Sequence, residues 1–256
     1  MLQNKVVLVT GGSSGIGKAI AKRLAREGAT IAIVASSQIS KANEAAEEII
    51  TEGGKAKGYV ADVRNSSEVT KLIAAVNEQH GSIDVLVNSA GIFLPTPIGE
   101  SDIAIFDQMI DVNIRSTFYC INAVTPIMKA NGGGAIVCLA SVAATMGIAE
   151  FSTYCATKAA VSMMVKSLAL ELAPLNININ AICPGNTATP MNEAMRTDTS
   201  RKELLDSLSK ATPSQRIFSQ PEDIAELALF LTSPSGKAMH GSSVLMDEGL
   251  SAGISF

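Results

Sequence analysis

The sequence predicts an α/β protein: a doubly wound parallel sheet with helices on both faces, built as a single domain over residues 1–256. Three observations predict it. Short apolar runs rich in β-branched residues recur, the kind that suits strands buried on both faces. Each is followed by a stretch with apolar residues at helical spacing, and repeated strand–helix units demand parallel pairing through crossover helices. No linker, repeat or low-complexity stretch divides the 256 residues.

The elements follow in order. Val6-Val7-Leu8-Val9 is a strand, ended by Gly11-Gly12. Residues 15–27 carry Ile16, Ala19, Ile20 and Leu24 on one helical face. Residues 31–34 form the second strand. A helix over 39–52 turns Glu44, Glu47 and Glu48 to water. A strand near 56–61, a helix near 66–80 and a strand over 83–87 come next. A long helix covers 102–130, a strand 135–140, a helix 152–173 and a strand 177–182. Residues 186–213 break the rhythm: they are polar, with a short helix pair, and read as an insertion over the carboxyl edge of the sheet, a substrate lid. Pro221-Glu222-Asp223 opens a helix through 231, since proline suits the first turn and the acids its positive end. Residues 243–246 form the closing strand.

Composition excludes several classes. With 47% hydrophobic and 17% charged residues, the chain is not disordered. Its net charge is −4, and ten aromatics without a tryptophan give no stacking platform. Neither nucleic acid nor an anionic membrane is an expected partner. The charge-free stretch 130–149 contains Asn131 and Gly132-Gly133-Gly134 and reads as loop plus strand, not as a membrane span. Cys120, Cys138, Cys155 and Cys183 lack metal-ligand spacing, and only His80 and His240 could assist them. The expectation is buried free thiols, no metal and, with no leader pattern before the first strand, a cytoplasmic protein.

Thr10-Gly11-Gly12-Ser13-Ser14-Gly15-Ile16-Gly17 joins the first strand to the first helix. Glycines here permit a tight turn and let a ligand approach a helix N-terminus, where free N–H groups and the dipole favour phosphate. Further on, Tyr154 and Lys158 stand at i and i+4, side by side on one helix face. A free tyrosine, with a pKa of about 10, is a poor acid–base catalyst at neutral pH. A neighbouring ammonium favours phenolate, so the pair is expected to lower that pKa.

The spacing Gly-x3-Gly-x-Gly after a threonine resembles the short-chain dehydrogenase/reductase family. Further motifs agree over essentially the whole chain. They are Asp62-Val63, Asn88-Ser89-Ala90-Gly91, Asn113, Ser141, Tyr154-Cys155-Ala156-Thr157-Lys158 and Pro184-Gly185. Ser89 departs from the family's usual second asparagine. The resemblance implies a Rossmann-like fold and hydride transfer between a nicotinamide cofactor and a carbonyl or secondary alcohol. Tyr154 would be the acid–base group. Lys158 would tune it and hold the ribose, Ser141 would bind the substrate oxygen, and Asn113 would help hold a relay water. Cofactor contacts are expected from Gly11, Ser13, Ser14, Gly15, Ile16 and Gly17. Asp62 and Val63 would meet adenine, and Asn88, Ala90 and Gly91 the adenosine side. Pro184, Gly185, Thr187 and Thr189 would reach the carboxamide or pyrophosphate.

The second strand ends in Val34-Ala35-Ser36-Ser37. A carboxylate at Ala35 would select NAD. Its absence, with Ser14, Ser36 and Ser37 as donors, favours NADP(H) over NAD(H). The expected pocket residues are Ile92, Phe93, Leu94, Ala143, Met146, Phe151, Asn186, Met191 and Met195, largely apolar. Many relatives reduce 3-oxoacyl thioesters on an acyl carrier protein, but an arginine common there is Leu170 here. A secondary-alcohol, polyol or cyclic-ketone dehydrogenase remains an alternative, and a non-catalytic nucleotide sensor is the rival from another class. Apolar residues on more than one face of the helices over 102–130 and 152–173 point to subunit contacts: Ile114, Phe118, Ile121 and Val124 on one, Ala159, Ala160, Met163, Met164 and Leu168 on the other. Resemblance implies a homotetramer.

Overall fold

The computed structural model describes residues 1–253. Its strands are β1 (Val6–Thr10), β2 (Thr30–Ala35), β3 (Lys55–Val60), β4 (Val85–Asn88), β5 (Gly134–Leu139), β6 (Ile177–Pro184) and β7 (Ser243–Met246). They form one sheet in the order β3-β2-β1-β4-β5-β6-β7, and every pairing is parallel. The helices are α1 (Gly15–Arg26), α2 (Ile39–Thr51), α3 (Ser66–His80), α4 (Ile103–Met109), α5 (Ser116–Ala130), α6 (Ser152–Leu172), α7 (Glu193–Thr197), α8 (Lys202–Ala211) and α9 (Pro221–Thr232).

Alternation along β1 shows why the sheet is covered twice. Val6 and Leu8 belong to one core layer, with Val69, Val124 and Val165 from α3, α5 and α6. Val7 and Val9 belong to the other, with Ile20, Ile49 and Leu229 from α1, α2 and α9. Successive strand side chains point to opposite faces, so an unbroken apolar run needs helices on both. β1 pairs with β2 on one side and β4 on the other, so the chain reverses its winding between β1 and β4. Open α/β sheets bind ligands at the carboxyl ends of the strands at such a point.

Local chemistry sets the helix ends. Asn65 caps α3, its side chain accepting from the N–H groups of Ser67 and Glu68. Gly81 ends that helix in the left-handed region. Pro221 opens α9, where Asp223 accepts from the Gln220 N–H at 2.8 Å. Between α1 and α2 runs a row of ion pairs. Lys18 and Lys22 meet Glu48 at 2.8 and 3.4 Å, Lys22 also meets Glu52 at 2.5 Å, and Arg26 meets Glu52 at 2.9 Å.

Three expectations need correction. The helix expected over 102–130 is broken by a π-helical turn, Ile110–Arg115, between α4 and α5. Such turns admit one extra residue per turn and re-aim the side chains they carry. Cys155 is only half-buried, unlike Cys120, Cys138 and Cys183. Ile121 and Val124 lie in the core rather than on an outward stripe with the exposed Phe118, because one side of α5 covers the sheet. Among the described residues no helix is long and apolar enough to cross a membrane.

Candidate active site

The ends of β1, β4, β5 and β6 open into a cleft of about 300 Å³. Thr10 stitches its floor together: its hydroxyl oxygen accepts from the Ser89 and Ala90 N–H groups at 3.2 and 3.3 Å. That holds the β4 exit against the β1 exit.

One wall is the start of α1. Ser14 stands at the N-cap, but its side chain caps nothing. The first N–H groups of the helix thus lack a side-chain acceptor and sit beside Gly11, Ser14, Gly15, Ile16 and Gly17 on the cleft wall. This is a phosphate-sized station with no acid in the first helical turn. A Cβ on Gly17 would fall 2.4 Å from the Gly11 carbonyl oxygen, so any side chain would push α1 off the loop.

The opposite wall carries the acid–base candidates. Tyr154 and Lys158 lie on α6, and Ser141 lies just past β5. All three line the cleft. The Lys158 ammonium is 5.6 Å from the centre of the Tyr154 ring. It donates to the Leu139 carbonyl at 2.8 Å, its one protein acceptor among the described residues. Three ammonium hydrogens with a single protein acceptor leave donors for a diol. Tyr154 packs edge-on against Phe93 with centroids 4.7 Å apart, and Phe93 stacks on Phe151 at 4.1 Å. This aromatic wedge fixes the phenol ring.

The ionisation expected for the pair is overturned in the ligand-free protein. Burial pushes the Tyr154 phenol up to about 12, only partly offset by the Ser141 hydroxyl. Burial also draws Lys158 down to about 8. Both neutral forms are favoured because both groups are desolvated. Lys158 is therefore the group that titrates near neutrality.

Asn113 lies in the π-helical turn and is buried. Its Oδ1 accepts from the Ile92 N–H at 2.9 Å. Its Nδ2 donates to the Ile92 carbonyl at 3.0 Å and to the Thr157 hydroxyl at 3.1 Å. The side-chain amide is thus spent on protein groups, and only the backbone carbonyl, which accepts from Thr117 at 3.0 Å, is left to meet a water. Gly91 lies beside it: a Cβ there would be 3.4 Å from Asn113 Oδ1 and 3.5 Å from Lys158 Nζ.

Other expected residues divide. Ala90, Gly91, Pro184, Gly185, Thr187 and Thr189 line the cleft. Ser13, Ser36, Ser37, Asp62, Val63 and Asn88 are not on its wall. Ser36 and Ser37 are exposed at the end of β2. Asp62 is engaged by Arg64 at 2.7–3.0 Å, which holds its carboxyl low. Asn88 is buried and faces the Cys138 sulfur at 3.8 Å. Of the expected substrate residues, Ile92, Phe93, Asn186, Met191 and Met195 line the cleft, whereas Leu94, Ala143, Met146 and Phe151 do not. Leu139, Ala140, Val142, Ile148, Pro190 and Asn192 line the cleft without having been expected there, and nothing in the apolar pattern marked them. Ser89, the departure from the family's usual asparagine, also lies on its wall.

The family model described as enoyl-(acyl carrier protein) reductase matches residues 11–251. A 3-oxoacyl-[acyl-carrier-protein] reductase of Staphylococcus epidermidis is 37% identical over 96% of this chain and 99% of its own. A 7α-hydroxysteroid dehydrogenase solved with NADH and 7-oxo glycochenodeoxycholic acid is 33% identical, with a TM-score of 0.90 over 97% of this chain and 94% of its own. A gluconate 5-dehydrogenase of Burkholderia cenocepacia, solved with NADP and tartrate, is 31% identical, with a TM-score of 0.93 over 99% and 97%. These relatives and neighbours are dehydrogenases and reductases acting on alcohol or carbonyl groups, and they place the chain among the nicotinamide-dependent oxidoreductases of that kind. The chain belongs to the short-chain dehydrogenase/reductase family.

Proposed function

We propose that the enzyme reduces a ketone flanked by apolar groups, and that its substrate is a 3-oxoacyl thioester. The observation that carries this is the cleft lining: Ile92, Phe93, Ile148, Met191 and Met195 are apolar, and among the described residues Tyr154 and Lys158 are its only ionisable side chains. A polyol set against these apolar side chains would leave hydroxyls without partners, each costing about 1–3 kcal/mol. The 37% identity to the staphylococcal reductase supports the thioester. A cyclic ketone is the second reading, favoured by Leu170, which is 80% exposed where a carrier-binding arginine was expected.

A nicotinamide cofactor would supply or accept the hydride once bound. The α1 N-terminus would hold its diphosphate, and Lys158 would hold its ribose hydroxyls. Ser141 aligns the carbonyl oxygen, and Tyr154 gives it a proton as negative charge develops there. Asn113 keeps Ile92 in the cleft wall. Residues 186–213, which bring Asn186, Met191 and Met195 to the cleft, close over the substrate. Four cysteines without a disulfide support a cytoplasmic enzyme.

NADP(H) is the proposed cofactor, supported by neutral Ala35 and the serines near it. Ala35→Asp should swing preference toward NAD by at least about tenfold, or 1.4 kcal/mol. A panel of 3-oxoacyl thioesters, cyclic ketones and sugars, run with NADPH and NADH, tests substrate and cofactor together. A wild type that already favours NADH tenfold, or turns over sugars best, overturns the reading.

We further propose a homotetramer. Ile103, Phe118, Met163 and Leu170 are exposed on α4, α5 and α6, more apolar surface than one free helix face ordinarily shows. Sedimentation at micromolar concentration should find a tetramer; a stable monomer would refute it.

A further inference from the structure

We propose that Thr157 is a positioning residue for the reaction: its hydroxyl clasps Asn113 to the helix of Tyr154 and Lys158, and so registers the Ile92 wall against the acid–base pair. The residue is wholly buried. Its Oγ1 accepts from Asn113 Nδ2 at 3.1 Å and donates to the Tyr154 carbonyl at 2.8 Å. Asn113 in turn holds both the N–H and the C=O of Ile92, at 2.9 and 3.0 Å. One hydroxyl therefore joins three pieces of chain: the loop after β4, the π-helical turn and the first turns of α6. Asn113 has no spare hydrogen on Nδ2 to find another partner, since one serves Ile92 and the other Thr157.

Each link has a directional reason to exist. Without the Thr157 oxygen, Asn113 would keep a buried N–H with no acceptor, and the amide would rotate to seek one. Rotation would release Ile92, whose backbone adjoins Gly91. A Cβ on that glycine would just touch both Asn113 and Lys158, so its backbone runs beside the two. The clasp thus governs distance between wall and catalytic pair, and small errors there are costly to turnover.

The proposal rests on Tyr154 and Lys158 being the acid–base pair. The experiment compares Thr157→Val, which keeps the shape but loses the hydroxyl, with Thr157→Ser, which keeps the hydroxyl. Thr157→Val should lower kcat by about 10–100-fold while KM for the cofactor moves little. In the ligand-free protein, amide exchange at residues 91–93 should quicken. Thr157→Ser should restore both. In an Asn113→Ala background, Thr157→Val should cost little more, because its effect passes through Asn113. Unchanged kcat in a folded Thr157→Val, a serine variant as impaired as the valine one, or fully additive losses would each overturn it. Thr157→Ala repeats the test should the valine variant not fold. Tyr154→Phe, run alongside, separates the two readings: full activity there removes the acid–base pair, whereas its loss with a normal Thr157→Val removes only the clasp.

Discussion

Tyr154→Phe is expected to lower turnover by about 10²–10⁴-fold, or about 2.7–5.5 kcal/mol of barrier, in both directions. The substitution removes one oxygen and leaves the ring. The edge-on contact with Phe93 at 4.7 Å and the stack of Phe93 on Phe151 should persist, so fold and cofactor affinity should be close to wild type. Only the hydroxyl proposed as the proton donor is gone. Steady-state kcat with the best ketone, beside cofactor binding by fluorescence titration, reads the two effects apart. Turnover at the wild-type level would show that another group moves the proton.

Lys158→Ala should weaken cofactor binding about 10–100-fold, the worth of one or two charge-assisted hydrogen bonds, and turnover should fall with it. The pH dependence gives a sharper reading. Burial draws the Lys158 pKa down to about 8. The ammonium is the form that would donate to ribose hydroxyls, and it is lost as pH rises through that value. Wild-type cofactor affinity should therefore be high below pH 8 and decline above it, while the alanine variant should show no such limb. Over the same range the phenol, raised to about 12, stays protonated in the free enzyme. Reduction, which consumes that proton, should be limited by the lysine's charge rather than by loss of the tyrosine's proton. Titrations from pH 6 to pH 10 decide it. A flat wild-type profile would mean that the lysine does not titrate there.

The central strands were the most legible elements, because a doubly covered sheet requires short apolar runs bounded by turn residues, whereas β3, Lys55-Ala56-Lys57-Gly58-Tyr59-Val60, lies at the sheet edge and shows no such run. Residues 243–246 were bounded as observed. The π-helical turn was invisible, since a helix apolar on two sides shows no break when an inserted residue rotates its pattern by about 100°. For the same reason Ile121 and Val124, which are buried, were named beside the exposed Phe118 without being told apart from it. In the site, motif spacing found the residues that meet by short-range geometry, such as Tyr154 and Lys158 one turn apart. It could not show that Asp62 is engaged by Arg64, or that Asn113 spends its amide on Ile92 and Thr157. Nor could it give the sign of the tyrosine's shift, because desolvation is set by everything packed around a side chain and not by its neighbour at i+4.

The row of ion pairs between α1 and α2 bears on how a highly charged dinucleotide reaches its seat. Lys18 and Lys22 border the surface hollow next to Ser14 and Gly15, where they would attract a polyanion from solution. Glu48 and Glu52 offset them, but Arg26 also sits on Glu52, so the row keeps one net positive charge. Steering is therefore weak, and capture depends mainly on backbone dipoles and hydrogen bonds that act only at contact. Encounter should proceed at the ordinary unsteered pace of about 10⁵–10⁷ M⁻¹s⁻¹ and change little with ionic strength. Selectivity between two cofactors that differ by a phosphate is then exercised after arrival, in how fast each one leaves.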